Sequence, residues 1–210
     1  MMNKARFEAF TDGVFAFAIT VLILGVTLPV FRNPPPSEAE LAHALLGLWP
    51  KVLAYLLSFA VIGIMWQNHH ALFRLVSRID RETVLLNLAL LAGTVFIPFA
   101  TSTLGAYPSM RSSTFLYGLT LTMCSTMYNA LLIHITRSGA FSSAVDAATI
   151  RQTTFAYRVG WVTYVVAVLA SLVAPLVSVA LYLLVTAYYL TPRGADKDLE
   201  SEPPPERIRA

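Results

Sequence analysis

The chain has 210 residues, of which 56% are hydrophobic and 13% charged, with a mean hydropathy of +0.63. Soluble domains carry about 25% charged residues, so a water-facing globular surface is excluded, and the high hydrophobicity excludes intrinsic disorder. An integral membrane protein remains, with a net charge of +3 and a pI near 9.1. The single cysteine, Cys124, rules out a disulfide framework and a multi-cysteine metal site, and in its Met- and Leu-rich stretch it reads as a small apolar packing residue.

A membrane span needs about 20 predominantly apolar residues. Stretches free of Asp, Glu, Lys and Arg run from Gly13 to Phe31, Val52 to Phe73, Thr83 to Met110, Ser112 to Thr136 and Val159 to Pro192. The last is 34 residues long, with Pro175 near its middle. Because proline ends or kinks a helix, two short helices meeting at Ala174-Pro175 are the favoured reading, and one long tilted helix is the alternative. The fold class expected is therefore an all-α integral membrane protein with six transmembrane helices. The approximate spans are 7–31, 51–70, 84–106, 113–136, 155–173 and 175–191, within a channel domain covering 1–192.

Loop charge tests that count independently. With six spans and the N-terminus inside, the inner segments hold 12 of the 15 Lys and Arg residues, and the outer ones hold only Arg32, Lys51 and Arg111. This is the asymmetry of the positive-inside rule. It places both termini in the cytoplasm of a multi-pass cell-membrane protein, and it accounts for the basic pI without a nucleic-acid partner. Lys4 and Arg6 ahead of an apolar run could also open a signal peptide. Asp12 and the lack of a small-residue cleavage site favour a retained helix. In the first outer loop, Pro34-Pro35-Pro36 reads as extended, and Ser37 with Glu40 forms a capping box that opens a short amphipathic helix toward Trp49. Residues 193–210, charged and carrying Pro203-Pro204-Pro205, read as a disordered cytoplasmic tail.

Enzyme signatures are missing: the sequence contains no HExxH, GxSxG or Walker A pattern and no carboxylate pair within a span. His69 and His70 are adjacent and so point about 100° apart on a helix, whereas ligands sharing a metal sit at i, i+4. Hydrogen bonding at an interface is the favoured role for them and for His134, and no cofactor or resident metal is expected. The first helix is the unusual one, with Arg6, Asp12, Thr20, Gly25, Thr27 and Pro29 in one crossing. Ionisable residues near membrane depth mark functional sites. At 100° per residue, Gly13, Phe17, Thr20, Val21, Leu24 and Leu28 fall on one stripe, with Asp12 roughly 130° from its centre. On composition alone, ordinary helix packing is the favoured explanation of such a stripe. On the residues alone the protein is a polytopic transporter or channel.

Arg6-Phe7-Glu8-Ala9-Phe10-Thr11-Asp12 resembles the RxxxFSD first-helix signature of the lysosomal potassium channel family, transmembrane protein 175, in its bacterial branch. Trp66-Gln67-Asn68-His69-His70 with Leu72-Phe73 is similar to that family's WxNHHxLF stretch, and Asp80, Asn87-Leu88 and Pro98-Phe99 resemble its third-span pattern. The resemblance implies a homotetramer with the first helix of each subunit lining a central, potassium-permeable pore. No TVGYG filter loop is present, so selectivity would rest on a narrow apolar neck and adjacent hydroxyls, and apolar constrictions can gate by dewetting. By resemblance, Phe17 takes the constriction position, Thr20 the hydroxyl layer one turn outward and Leu24 the second apolar ring, with Val21 and Leu28 on the same wall. Arg6, Phe10, Thr11 and Asp12 would form a structural or gating motif with Trp66, Asn68 and His69. Thr11 replaces the usual serine and keeps the hydroxyl, while Phe17 replaces an aliphatic residue and changes the shape of the neck. The expected partners are potassium and other monovalent cations, membrane lipid and identical subunits. A secondary transporter, proton-coupled through Asp12 and His69, is the alternative, although transporters commonly show paired broken helices in two repeats, and no matching second half is present.

Overall fold

A computed structural model describes residues 3–31, 35–143 and 145–191. The expectations for Arg32, Pro34 and the tail 193–210 lie outside the described residues. Seven α-helices follow in order: α1 (Lys4–Val21), α2 (Glu38–Leu46), α3 (Trp49–Arg74), α4 (Arg81–Ala106), α5 (Arg111–Arg137), α6 (Ala147–Ser171) and α7 (Pro175–Leu190). A 3-10 turn, Leu22–Gly25, prolongs α1. Five of these helical segments are long and apolar enough to cross a membrane, and α7, with 16 residues, is a shorter apolar helix.

The helices outrun the apolar stretches at several ends because polar caps lie beyond the hydrophobic run. The Asn3 side chain accepts from the Ala5 N–H, so α1 begins at Lys4 and not at 7. Asp80 caps α4 through the Thr83 N–H at 2.8 Å, and Asp146 caps α6 through the Thr149 N–H at 2.8 Å, so α6 starts at Ala147, well ahead of the expected 155. Pro50 sits in the first turn of α3, where its missing N–H costs nothing. At the other end the expected first span is too long: regular structure stops at Gly25, and residues 26–31 belong to no helix. The apolar run from Val159 is broken at Leu172–Ala174, with Pro175 opening α7. In the outer loop the Ser37–Glu40 capping box forms and opens α2, which has no buried residue.

Helix α4 lies at the centre, packed against α1, α3 and α5; α6 packs on α5, and α7 closes against α3, α5 and α6. Two apolar clusters form the core. The larger includes Phe15, Leu22, Ile62, Leu90, Ile97, Tyr117 and Tyr182, and the smaller includes Phe7, Phe73, Val76, Leu131 and Ile135 at the end of the bundle that carries the N-terminus. At that same end, Gly139 adopts a φ of +62° and lets the Ala140 N–H return to the Ile135 carbonyl at 3.1 Å, terminating α5. The chain then pairs with the α3–α4 connection: Ser77 N–H donates to Ala140 O at 2.9 Å and Ser142 N–H to Leu75 O at 2.8 Å. His134 is hydrogen-bonded at the end of its helix, between two carboxylates, with Nε2 3.0 Å from Asp80 and Nδ1 3.3 Å from Glu82.

One close approach that seats helix α7 is that of Tyr182. The Tyr182 ring packs edge-on against Tyr117 at 5.2 Å, and its hydroxyl donates to the Thr114 carbonyl at 3.1 Å. Gly118 makes this possible, since a Cβ there would overlap the Tyr182 hydroxyl and stand 2.7 Å from Val168 Cγ2. We expect Gly118→Ala to destabilise the purified protein by about 1–3 kcal/mol through overpacking, read as a lower thermal midpoint. Adding Tyr182→Phe should restore part of that loss, so the two changes will be non-additive.

The Asp80 carboxyl is held down to about 2 from its ordinary 3.8, chiefly by the Thr83 backbone N–H and to a lesser degree by the Thr83 side chain and then His134. Because the folded value lies below the unfolded one, the cap contributes fully above about 3.8 and loses its contribution as pH falls toward about 2. Asp80 is largely exposed, so the increment stays below about 1 kcal/mol. Thermal midpoints measured across that window should fall further for the wild type than for Asp80→Asn, and equal slopes would contradict the assignment.

Candidate functional site

The two faces of α1 have opposite environments. Phe7, Thr11, Phe15, Ala18 and Leu22 are buried against α3 and α4, at the i, i+4 and i, i+3 spacings of a helix stripe. On the opposite side Arg6, Phe10, Gly13, Phe17, Thr20 and Leu24 are exposed, Phe17 at 60% and Leu24 at 70%, and the rest of the subunit leaves them uncovered. Val21 is half-buried at the margin, and Leu28, beyond the end of the helix, is exposed. The Thr20 hydroxyl donates to the Phe17 carbonyl at 2.8 Å. Its proton is thereby tied to its own helix, and its oxygen keeps its capacity to accept.

The buried face is fixed by a polar chain inside an otherwise apolar interface. Asn87 Nδ2 donates to Thr11 Oγ1 at 2.9 Å, and Asn87 Oδ1 lies 2.9 Å from His69 Nε2. All three residues are buried. The His69 ring is enclosed by Phe73 at 4.4 Å, Phe15 at 5.8 Å and Phe7 at 6.2 Å. Beside this chain, Trp66 Nε1 donates to Asp12 Oδ1 at 2.9 Å and gives the half-buried carboxylate its donor.

Thr11, Asp12, Trp66 and His69 therefore divide between two separate groups, Thr11–Asn87–His69 and Trp66–Asp12, in place of one cluster around Asp12. Three other members of the expected motif stand apart. Asn68 uses its backbone carbonyl to accept from Tyr157 at 3.1 Å, while its side chain lines a cavity of about 60 Å³ with Ser125 and Tyr164. Arg6 and Phe10 lie on the exposed face because 6, 10, 13 and 17 share one side of the helix. Lys4, in the position expected of Arg6, ties the helix start to the bundle, with Nζ donating to Val76 O at 2.7 Å. Asn87 completes the chain and belongs to the site. Its signal was a lone amide in the apolar run from Val84 to Ala92.

Among the described residues no group of three His, Cys, Asp or Glu side chains is arranged to hold a metal. What the arrangement does offer is a helix anchored on one side and presenting an apolar stripe, with one hydroxyl layer, on the other. Replacing Asn87 by Leu would leave Thr11 and His69 buried without their partner, at a cost of about 1–3 kcal/mol. A matching drop in thermal midpoint and subunit yield is expected. Adding Thr11→Val should recover part of the drop, because it removes one of the orphaned groups.

Comparison with known proteins identifies the family. The sequence profile of the family described as the endosomal/lysosomal potassium channel TMEM175 matches residues 6–98, which include most of α1, the Trp66–His69 stretch and Asn87. A protein named as a potassium channel in Streptomyces collinus is 37% identical over 194 residues, covering 90% of this chain and 92% of the relative. The human endosomal/lysosomal proton channel TMEM175 is 38% identical over 103 residues, or 47% of this chain and 20% of the human protein. Among solved structures, the lysosomal potassium-selective channel TMEM175 homologue from Chamaesiphon minutus superposes with a TM-score of 0.76 at 34% identity, covering 89% of this chain and 95% of that one. The resemblance read through most of the first four helices thus extends over nearly the whole chain, and the protein belongs to the TMEM175 family of ion channels.

Proposed function

We propose that four copies of this subunit enclose a central pore through which potassium and other monovalent cations pass passively. The proposal places six spans in a cell membrane, with both termini cytoplasmic. Helix α1 would line the conduit, with Phe17 as the constriction, Thr20 as a hydroxyl layer and Val21, Leu24 and Leu28 continuing the wall. One observation carries the reading: the stripe from Gly13 to Leu24 is left uncovered by the subunit while the opposite face of the same helix is anchored through Thr11. One subunit offers one such helix and cannot surround an ion, so a closed ring of copies is required. The names of the bacterial relatives support potassium as the permeant ion, and that of the human relative extends the class to protons.

At such a neck an ion would meet an apolar ring and must shed or squeeze its hydration shell, which is how dewetting resists conduction. The Thr20 oxygens one turn outward would replace part of that shell. No TVGYG sequence is present to supply a carbonyl filter. The transporter alternative loses support because Asp12 and His69 make separate hydrogen bonds, to Trp66 and Asn87, and neither lies on the exposed stripe.

Phe17→Ala should widen the neck, raise unitary conductance several-fold and lower potassium-over-sodium discrimination in purified tetramers reconstituted into liposomes. If Phe17 were merely packed in a helix interface, truncation would cost about 3–5 kcal/mol and reduce yield, while the surviving channels conducted normally. Unchanged conductance and selectivity would remove Phe17 from the conduction path.

A further inference from the structure

The far end of α1 carries a charge that the conduction reading does not use. Past Gly25 the backbone leaves the helix, and the Lys51 ammonium reaches back from the first turn of α3 to Thr27. Nζ lies 2.9 Å from the Thr27 carbonyl oxygen and 3.3 Å from its hydroxyl. The reach is built into the packing. Gly105 of α4 lets the start of α3 approach so closely that a Cβ there would stand 2.8 Å from the Lys51 Cα, and Gly25 lies on Ser102 of the same helix. Among the described residues no carboxylate comes within ion-pair distance of Lys51. Glu40, in the preceding helix, is held by Ser37. Among the described residues the ammonium therefore has no neutralising carboxylate, and it occupies two oxygens in the segment continuing directly from the exposed stripe.

We propose that Lys51 is a tethered cation at the mouth of the conduction path remote from the N-terminus, where it opposes the entry of permeating cations. The inference rests on the reading in which α1 lines the pore. A ring of four ammonium groups would raise the potential at that mouth, and each would hold a carbonyl and a hydroxyl that a partly dehydrated potassium ion could otherwise use. Cations arriving from that side would be slowed more than cations leaving, so the current would rectify. The effect would be greatest at low ionic strength, since the Debye length falls from ~30 Å at ~0.01 M salt to ~3 Å at ~1 M.

The test is single-channel recording of full-length wild type, Lys51→Met and Lys51→Glu in neutral-lipid bilayers, across that range of potassium chloride concentration. Conductance for entry from the Lys51 side should rise in the order wild type, Met, Glu at low salt. The span should be on the order of tenfold, the low end of what a single-sign field does to arrival rates, and the three should converge at high salt. Equal behaviour of Met and Glu would overturn the proposal, because a tether without an electrostatic role is lost in both. To separate charge from folding, Lys51→Cys is modified after assembly with cationic or anionic methanethiosulfonate reagents, the native Cys124 being buried. The cationic adduct should lower entry relative to the anionic one, and identical currents, or failure of Met, Glu and Cys variants alike to assemble, would assign Lys51 to structure. Phe17→Ala recorded alongside distinguishes the two failures. If it alters conduction while the Lys51 series does not, only the present inference falls; if neither does, the α1 pore reading falls with it.

Discussion

The bond between Asn87 and Thr11 is the constraint on which the arrangement of α1 depends. An apolar helix in a lipid environment gains little from apolar contact alone, because lipid tails compete equally for its surface, and small or polar residues must supply the specificity of packing. Thr11 and His69 have their polar atoms in an interface of Phe7, Phe15 and Phe73, where an unpaired group is costly. The one amide of Asn87 satisfies both, with its nitrogen toward Thr11 and its oxygen toward His69. Rotating α1 by even one residue would move Thr11 away from Asn87 and put Asp12 or Phe10 in its place. The amide therefore sets the rotation of α1 about its own axis.

That rotation decides what the opposite face presents. With Thr11 turned inward, helical geometry puts Phe10, Gly13, Phe17, Thr20 and Leu24 outward. The Trp66–Asp12 bond and the Lys4–Val76 bond add restraints at the same end of the helix, while Lys51 holds the far end through Thr27. A helix held at both ends and along one side can leave a large apolar stripe uncovered without collapsing onto its neighbours. In the reading proposed above, this uncovered stripe faces the conduit.

The remaining helices form the scaffold for this device. Several tyrosine hydroxyls donate to carbonyls of neighbouring helices: Tyr128 to Met65, Tyr157 to Asn68, Tyr189 to Ala156 and Tyr182 to Thr114. Each ring fills space in the core while its polar tip finds an acceptor, as a buried tyrosine requires. Glycines at 93, 118 and 160 admit the large side chains of the adjoining helices, with Cys124 and Met123 facing the first, Tyr182 the second and Tyr189 the third. At the end that bears the N-terminus, the paired α3–α4 and α5–α6 connections and the His134–Asp80–Glu82 group join successive helices outside the apolar core.

Much of this was legible in the sequence by itself, because the bilayer is a simple solvent with a strict length requirement. Charge-free stretches marked the apolar helices, the distribution of Lys and Arg suggested the sidedness, and Pro175 marked the break that separates α6 from α7. The RxxxFSD-like and WxNHHxLF-like stretches pointed to the family, and the 100° periodicity of α1 grouped Phe17, Thr20 and Leu24 on one side. Tertiary structure decided which residues meet. Asn68 lies in the polar Trp66–His70 stretch and Asn87 stands alone in an apolar run, and neither setting says what its side chain meets. Only the packing of α4 against α1 puts Asn87 opposite Thr11, while the turn of α3 carries Asn68 to a cavity on the other side. Lys4 and Arg6 are likewise two basic residues ahead of the same helix, and the position of the α3–α4 connection determines that Lys4 is the one bound. Periodicity along a chain reports which residues share a face. It carries no information about what stands across from that face, because that depends on the rotation and spacing of helices far apart in sequence.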